Sequence, residues 1–254
     1  MHQGASAEIG IIGGTGLYDM HGLEDVRELT VETPYGAPSS VLRTGTLEGR
    51  SVVFLARHGA GHRLLPTEVP YRANIYALKM LGVSKVLAVS AVGSLVEELP
   101  PRALVVPDQF LDRTRHRPDT FYGDGLVVHV SMAEPFAAAM RTALLDAARE
   151  LGHAARDGGT QICMEGPQFS TRAESLIWKG LGCHVIGMTA MTEARLAREA
   201  EIAYASLNMV TDYDAWRPDE AGVDTAEILA VLHDNADVGK AILRAALLRV
   251  PDGP

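Results

Sequence analysis

The chain is poor in cysteine and in basic residues. Its 254 residues include two cysteines, Cys163 and Cys183, too few for a disulfide framework and in no CxxC pair or zinc spacing. We therefore expect both thiols to be reduced and buried in a cytoplasmic protein. The 23 Lys and Arg against 32 Asp and Glu give a net charge of −9. This balance argues against a nucleic-acid partner, because such binders need a basic footprint, but it permits a pocket for one small anion.

Long apolar runs and metal-binding patterns are also missing. No uninterrupted apolar run approaches the ~20 residues that a membrane-spanning helix needs, so we expect no membrane partner. Residues Met1 to Glu8 show no basic stretch followed by an apolar one, and no signal peptide is expected. His58 and His62 are four apart, but Gly59 and Gly61 disfavour the helix that would present them together. The sequence predicts no metal site.

What the chain does contain is an alternation of apolar runs with helical patterns. The apolar runs, which predict strands buried on both faces, are Ile9–Ile12, Val52–Ala56, Val86–Val92, Leu104–Val106, Val185–Met188 and Ile202–Val210. The predicted helices follow Pro70, a capping box at Ser131 and Glu134, a second at Thr171 and Glu174, the start of Met191–Ala200, and a third box at Asp224 and Glu227. The alternation predicts one α/β domain over residues 1–254, with a mostly parallel or mixed central sheet flanked by helices.

Polar residues follow five of these strands at their carboxyl ends, where open α/β sheets bind ligands. They are Gly13-Gly14-Thr15-Gly16, Arg57-His58-Gly59, Ser90 to Ser94, Met188-Thr189 and Thr211 to Asp214. Glycines let backbone N–H groups approach an anion, an arginine fork matches phosphate oxygens, and Thr189 stands at a predicted helix N-terminus. Each element alone is more typical of a turn or cap, but their coincidence predicts an oxyanion site. Asp212 and Asp214 would repel the anion and should face another part of the ligand.

A dinucleotide site is the rival interpretation of the first glycines. Gly10, Gly13 and Gly16 have the spacing of short-chain dehydrogenases, and Glu32 lies at a suitable distance for a ribose contact. Such enzymes resemble one another in a Tyr-x-x-x-Lys pair. None of the four lysines here has a tyrosine four residues before it. The sequence therefore disfavours a nicotinamide oxidoreductase.

Six longer stretches carry a family resemblance. They run from Ile9 to Leu17, Leu55 to Gly59, Asp108 to Thr114, Met132 to Phe136, Glu165 to Ser175 and Ala205 to Trp216. These stretches resemble the purine nucleoside phosphorylase family, trimeric branch, over nearly the whole chain. The resemblance implies the nucleoside phosphorylase fold, a homotrimer, and phosphorolysis of a purine nucleoside to a free base and a pentose 1-phosphate. It implies no metal and no organic cofactor, with inorganic phosphate as a co-substrate.

The resemblance also assigns residues to the site. The implied phosphate-binding residues are Thr15, Arg57, His58, Ser90, Ala91 and Thr189. The implied nucleoside-binding residues are Met188 at the ribose, Phe169 stacked on the base, Asp212 and Asp214 at the purine edge, and His129 near the 5′ group in a neighbouring subunit. Bond cleavage leaves negative charge on the departing base, and Asp212 is the candidate general acid for N7. Burial is expected to raise the pKa of Asp212 so that it holds a proton.

Two regions bear on the choice of nucleoside. Relatives that act on 6-oxopurines carry Glu where Ser170 stands and Asn where Asp212 stands, so this chain suits a 6-aminopurine. Thr225 and Ile228 would line the 5′ end, and Ile228 suits a methylthio group. Three positions depart from the pattern of relatives that cleave methylthioadenosine. They are Thr225 for Val, Gly187 for Asn and Gln168 for Arg.

The leading hypothesis is therefore phosphorolysis of S-methyl-5′-thioadenosine to adenine and 5-methylthioribose 1-phosphate. The alternative within the same enzyme class is a phosphorylase for 6-oxopurine nucleosides or S-methyl-5′-thioinosine. A non-catalytic purine-binding protein on the same fold is the alternative from another class. Release of free base in the presence of phosphate separates these three hypotheses.

Overall fold

The computed structural model describes residues 6–13, 22–217 and 225–253, and of residues 225–230 and 232–234 it describes the backbone alone. Within these residues, eleven strands form one sheet and five helices accompany it. The strands are β1 (Ile9–Gly13), β2 (Glu24–Leu29), β3 (Leu42–Leu47), β4 (Arg50–Ala56), β5 (Lys85–Ser94), β6 (Leu104–Val106), β7 (Gln109–Asp112), β8 (Ala155–Asp157), β9 (Thr160–Cys163), β10 (Val185–Gly187) and β11 (Ala203–Tyr213). The helices are α1 (Tyr71–Met80), α2 (Ala138–Glu150), α3 (Arg172–Gly180), α4 (Ala190–Glu199) and α5 (Thr225–Leu247).

Parallel strands form the centre of the sheet. β1 pairs in parallel with β4 and with β5, and β11 pairs in parallel with β5 from Ala203 opposite Lys85 onward. Every residue of β1 is buried, as are most of those in β5. Strands covered on both faces need apolar residues at successive positions, which is why continuous apolar runs predicted them. β2, β3 and β10 add antiparallel pairs, so the predicted α/β class with a mixed sheet is confirmed.

Two apolar cores lie on the two faces of this sheet. Leu87 and Leu207 pack with residues of α2 and α5, whereas Val86 and Ala88 pack with residues of α1 and α4. Neighbouring strand residues belong to different cores because successive side chains point to opposite faces. Helices on both faces leave the carboxyl ends of the parallel strands open at one edge. The polar residues that follow these strands lie there.

The six predicted strands are confirmed as β1, β4, β5, β6, β10 and β11, with boundaries that differ by a few residues. The sequence did not predict β2, β3, β7, β8 or β9. In β2, five of six residues are exposed, and the strand pairs only with β3 at the edge of the sheet. An edge strand is held by backbone hydrogen bonds and tolerates charged residues, so no apolar run marks it.

The predicted helix starts have three outcomes. α1 begins directly after Pro70, and α3 begins at a capping box in which Thr171 and Glu174 bond reciprocally, as predicted. The capping box predicted at Ser131 and Glu134 is wrong, because α2 begins only at Ala138 and has no side-chain cap. Pro135 explains the difference, since a residue before proline is driven away from helical geometry. The third predicted box includes Asp224, which lies outside the described residues.

Candidate active site

A cavity of about 380 Å³ opens where the predicted site residues converge. Its walls come from the loop after β4, the end of β5, the segment between β9 and α3, the residues after β10, and the end of β11. Seven predicted site residues line it, namely His58, Ala91, Phe169, Met188, Thr189, Asp212 and Asp214. Residues as far apart in the chain as His58 and Asp214 therefore meet at one place, as the strand-end pattern predicted.

Arg57 lies behind the cavity rather than on its wall. Its side chain is 2% exposed, and its fork is paired with Glu193 of α4, with Nε 2.5 Å from Oε1 and Nη2 2.9 Å from Oε2. Nη1 donates to the Val89 carbonyl, and the Tyr204 hydroxyl donates to the same carboxylate. Burial by itself lowers the pKa of Arg57, but the adjacent Glu193 raises it above its ordinary value. Sequence reasoning missed Glu193, since no local pattern links it to a residue 136 positions earlier.

His58 lines the cavity as a largely buried imidazole. Its Nδ1 lies 2.9 Å from the Leu64 carbonyl, and its ring stacks on His62 with centroids 4.2 Å apart. Burial, with the nearby Arg57 cation, lowers the pKa of His58 to about 4. At neutral pH the ring is therefore uncharged, Nδ1 carries the proton that the carbonyl accepts, and Nε2 is an acceptor.

Two buried hydroxyls belong to predicted phosphate-binding residues, of which Thr189 lines the cavity and Ser90, next to the lining residue Ala91, does not. Thr189 is the N-cap residue of α4, but its side chain makes no capping hydrogen bond. The Ser90 hydroxyl is buried and has no hydrogen-bond partner among the residues that the structure describes. Helix N-termini favour negative charge, because their first N–H groups lack partners within the helix. These groups suit an oxyanion; that they bind phosphate stays a prediction.

Two carboxyl groups also line the cavity. β11 has an irregular register against β5 between Val210 and Asp212, and beyond it Asp212 and Asp214 line the cavity. The Thr211 hydroxyl lies 2.7 Å from Asp212 Oδ1. Burial raises the pKa of Asp214, against the opposing effect of the hydroxyls of Ser175 and Ser170. A buried carboxyl beside hydroxyl donors can hydrogen-bond a polar base edge; the proton expected on Asp212 stays a prediction.

A glycine makes room for this carboxyl end. A Cβ atom at Gly93 would lie 3.1 Å from Ile186 Cγ2 and 3.4 Å from Asp212 Oδ2. The strand thus approaches the carboxylate more closely than a larger residue permits. Phe169, on the segment before α3, is partly exposed and forms an apolar wall, and Ser170 is buried behind it.

Arg117 was not predicted, yet it joins two walls of the cavity. Its side chain is almost fully buried and donates to Glu165 Oε1 at 2.9 Å and to the Tyr71 hydroxyl at 3.0 Å. It also donates to the carbonyls of Met188 and Glu165. One guanidinium therefore holds the residues after β10 against the segment that leads to Phe169. Nothing in the local sequence distinguishes Arg117 from the exposed arginines at 113 and 115.

The remaining predicted site residues lie elsewhere. His129 is exposed, within a run that includes Leu126 and Val127, which are 60% and 76% exposed, and it does not line the cavity of its own chain. Thr15 lies outside the described residues, and so do the side chains of Thr225 and Ile228. Their predicted contacts with phosphate and with the 5′ group stay predictions.

The structure also bears on the cysteines, on metal binding and on membrane-spanning helices. Cys163 and Cys183 are free and buried, as predicted. Within residues 6–13, 22–217 and 225–253, no group of three His, Cys, Asp or Glu side chains is arranged to hold a metal ion. No helix in the described part of the chain has the length and apolar character to cross a membrane.

Comparison with known sequences gives a consistent result. A family model described as the phosphorylase superfamily matches residues 8–248. The S-methyl-5′-thioadenosine phosphorylase of Geobacter sulfurreducens is 53% identical over 243 residues, covering 95% of this chain and 85% of that protein. The protein of the same name from Cereibacter sphaeroides is 54% identical over 235 residues, covering 92% and 81%.

Solved structures of similar proteins share the fold of this chain. A methylthioadenosine phosphorylase sourced from an Antarctic soil metagenomic library has a TM-score of 0.92 at 50% identity, covering 96% of this chain and 86% of that one. The methylthioadenosine phosphorylase of Schistosoma mansoni in complex with adenine has a TM-score of 0.87 at 37% identity, covering 96% and 91%. From the matched family model, the identities and the shared fold, we conclude that the chain belongs to the phosphorylase superfamily.

Proposed function

We propose that this protein is a pentosyltransferase that cleaves S-methyl-5′-thioadenosine with phosphate, giving adenine and 5-methylthioribose 1-phosphate. The observation that carries the proposal is that one cavity combines anion-binding groups with carboxyl groups. The N-cap residue Thr189 and Ala91 line it together with Asp212 and Asp214. The names of the two bacterial relatives and of the two solved structures support the same substrate.

The proposed mechanism follows from where charge develops. Cleavage of the glycosidic bond leaves positive charge on the sugar and negative charge on the departing base. Phosphate at the Thr189 end stabilises the sugar cation and then forms the new bond to its anomeric carbon. At the other end, Asp212 delivers a proton to N7 of the base, a form of acid catalysis typically worth 10²–10⁴-fold in rate. The reaction needs neither a metal nor an organic cofactor.

Hydrogen-bond donors, rather than a free cationic side chain, are proposed to bind the phosphate. Glu193 occupies the fork of Arg57, so the hydroxyls of Ser90 and Thr189 with the Ala91 backbone are the principal candidates for contact with phosphate. Arg57 contributes its remaining N–H groups and the positive electrostatic potential of its guanidinium. Thr15 completes the set by resemblance.

The base end favours adenine over hypoxanthine. Ser170 and Asp214 are buried neighbours, and Asp214 is a carboxyl whose pKa burial raises. A protonated carboxyl, as proposed for Asp212, donates to N7, and its other oxygen accepts from a 6-amino group; Asp214 is consistent with this. Hypoxanthine has a 6-oxo group, which cannot donate in return. Phe169 stacks on the base, and Met188 contacts the ribose.

Assembly completes the proposed site. His129 lies in an exposed run with Leu126, Val127, Val128 and Val130, which is more apolar surface than a free loop needs. We place this run against the neighbouring copy of a homotrimer, where His129 reaches the 5′ end of the next cavity. Two free cysteines fit a reducing compartment, and the proposal places the enzyme in the cytoplasm, in salvage of purines and of the methylthio group.

One assay tests the proposed function. The protein is mixed with phosphate and, in separate reactions, with methylthioadenosine, adenosine, inosine or methylthioinosine, and free base is measured. Adenine release fastest from methylthioadenosine, and dependent on phosphate, is the expected result. Faster release of hypoxanthine would assign the enzyme to 6-oxopurines, and no release from any nucleoside would reject catalysis. Sedimentation velocity of the same sample tests the trimer.

A further inference from the structure

A chain of buried amides lies beside the cavity and is not used by the mechanism above. The Ser206 hydroxyl donates to Asn208 Oδ1 at 2.8 Å, and Asn208 Nδ2 donates to Gln161 Oε1 at 2.8 Å. All three side chains are buried. In this arrangement each side chain donates to the oxygen of the next amide, and the chain ends at the NH₂ group of Gln161.

The NH₂ group at this end lacks a visible partner. Gln161 Nε2 is buried and makes no hydrogen bond to any residue that the structure describes. A buried amide donor left without an acceptor is costly, and native structures seldom retain one without a water or a ligand to receive it. Gln161 is 1% exposed, so bulk solvent does not reach this donor, and Gly187 of the cavity wall lies beside it.

Gly187 separates this donor from the cavity. A Cβ atom at residue 187 would lie 2.8 Å from Gln161 Nε2, a closer approach than real side chains show. The next nearest atoms are Val92 Cγ1 at 3.4 Å and the Ala91 carbonyl oxygen at 4.0 Å, and Ala91, Val92 and Gly187 all line the cavity. Gly187 has no positive φ that requires glycine. What the glycine provides is space for the amide.

The strand register locates the donor along the cavity. β10 runs antiparallel to β5 with Ile186 opposite Gly93, so Gly187 lies one step from Gly93 in the direction of Ala91. Gly93 adjoins Asp212, where the proposed function places the base, and Ala91 is a proposed contact of phosphate. Gln161 Nε2 is therefore level with the middle of the cavity, where the proposed nucleoside joins base to sugar. The strong acceptor at this part of a purine nucleoside is the ring nitrogen N3.

We propose that Gln161 is a specificity-determining residue whose Nε2 donates, past Gly187, to purine N3 of the bound nucleoside, directly or through one water. The inference rests on the proposed function. Asn208 acts as its positioning residue, because its amide keeps the oxygen of Gln161 turned away from the cavity. A residue larger than glycine at 187 displaces this donor.

The test pairs a variant with a substrate that lacks the acceptor. Gln161→Met keeps the length of the side chain and removes the donor, and the 3-deaza analogue of methylthioadenosine replaces N3 by carbon. One neutral hydrogen bond corresponds to about a tenfold loss of kcat/KM, so we expect that loss for methylthioadenosine and almost none for the analogue. The KM for phosphate should stay unchanged. Equal losses on both substrates, or no loss on either, would overturn the assignment.

A second series of variants, at Gly187 and Gln161, tests the proposal even if Gln161→Met does not fold. Gly187→Ala should reduce kcat/KM for methylthioadenosine in the presence of Gln161 and have little effect in a Gln161→Ala background, where the added methyl group has room. Gly180→Ala is the matched control, because a Cβ there meets nothing within 4 Å. Additive losses at Gly187 and Gln161 would contradict the proposal, and melting temperatures of all variants report whether they fold.

The experiments distinguish a failure of the proposed function from a failure of the proposed role of Gln161. A wild-type protein that releases no adenine from methylthioadenosine overturns the proposed function, and the role of Gln161 with it. A wild-type protein that releases adenine and binds adenine and 3-deazaadenine equally in calorimetry overturns the role of Gln161 alone. Tighter binding of adenine, lost in Gln161→Met, supports both.

Discussion

Glu193 holds Arg57 through two parallel hydrogen bonds, at 2.5 Å and 2.9 Å, in a pair that is almost entirely buried. The Tyr204 hydroxyl donates to the same carboxylate, so three elements of the fold, the ends of β4, α4 and β11, meet in one unit. The arginine charge that the sequence assigned to phosphate is therefore balanced within the protein. This relationship makes Glu193 a determinant of stability directly behind the site.

Loss of Glu193 should destabilise the fold strongly. Glu193→Ala leaves the guanidinium of Arg57 buried without its partner, and breaking a buried ion pair from one side costs about 3–5 kcal/mol. The free energy of unfolding in urea measures this change. Asp146→Ala is the control, because it breaks the exposed pair with Arg149, and such pairs contribute at most about 1 kcal/mol. Similar small losses in both variants would show that the Arg57 pair is not structurally important.

Phosphate should bind with the proton that it already carries. His58 donates Nδ1–H to the Leu64 carbonyl, and its pKa of about 4 leaves Nε2 as an acceptor. A phosphate oxygen can contact Nε2 only if a proton lies between them, and the monohydrogen dianion present above neutral pH supplies one. Calorimetry in two buffers of different ionisation enthalpy should therefore show little proton uptake when the wild type binds phosphate above neutral pH. Uptake of about one proton would contradict the prediction, because it would show that the imidazole becomes charged.

The same histidine should make the fold sensitive to acid. Its pKa is 6.5 in the unfolded chain and about 4 in the folded protein, because burial and Arg57 disfavour the charged ring. The unfolded state therefore binds more protons, and the stabilisation present above pH 6.5 is lost as the pH falls towards 4.

Relative to wild type, His58→Gln should gain on the order of 2–3 kcal/mol in free energy of unfolding across that window. Urea titrations at several pH values measure the difference. His62 has a lowered pKa of the same origin and contributes in the same direction, so the variant removes only part of the slope. His153→Gln is the control, since His153 lies outside the cavity lining. A difference between His58→Gln and wild type that is constant with pH would count against the assignment.

Substitutions at Thr189 and Thr171 should distinguish a hydroxyl that binds phosphate from one that caps a helix. Thr189 is the N-cap of α4 without a capping bond, whereas Thr171 caps α3 in a complete capping box. Thr189→Val should raise the KM for phosphate about tenfold through loss of one hydroxyl donor, with little change in melting temperature. Thr171→Val should lower stability by about 1 kcal/mol and leave the KM for phosphate unchanged. The reverse pattern would remove Thr189 from the phosphate site.

Asp212 should set the preference for the base. Asp212→Asn loses the proton that the carboxyl is proposed to deliver to N7, but its amide can still donate to a 6-oxopurine. We expect release of adenine to fall at least tenfold further than release of hypoxanthine, within the range of general acid catalysis. Rates with methylthioadenosine and methylthioinosine measure this ratio. Equal losses for the two nucleosides would show that Asp212 does not determine base choice.

The strand ends of the site were predictable because each is encoded locally. An apolar run followed by glycine, hydroxyl or carboxyl residues identifies the end of a buried strand, and parallel topology brings such ends to one edge. His58, Thr189, Asp212 and Asp214 were found in this way, and the structure places them around one cavity. The capping box predicted at Ser131 was wrong for a local reason, because Pro135 disfavours helical geometry at the residue before it.

Glu193, Arg117 and Gln161 were not predictable on the same basis. Each acts through a partner far along the chain: Arg57 for Glu193, Met188 for Arg117, and Asn208 for Gln161. Burial gives these polar contacts their importance, and burial depends on how sheet and helices pack rather than on neighbours in sequence.

The sequence by itself determined the α/β class, the central strands, the free cysteines and the strand ends that line the cavity, because periodicity and composition act over a few residues. Only the tertiary structure decided which polar groups remain available there. It pairs the fork of Arg57 with Glu193 and directs the amide of Gln161 at Gly187. It also leaves the Ser90 hydroxyl without a hydrogen bond to any described residue, and Thr189 without a capping bond. A hydrogen bond requires two groups to meet within about 3 Å, and distant residues meet only when the chain is folded.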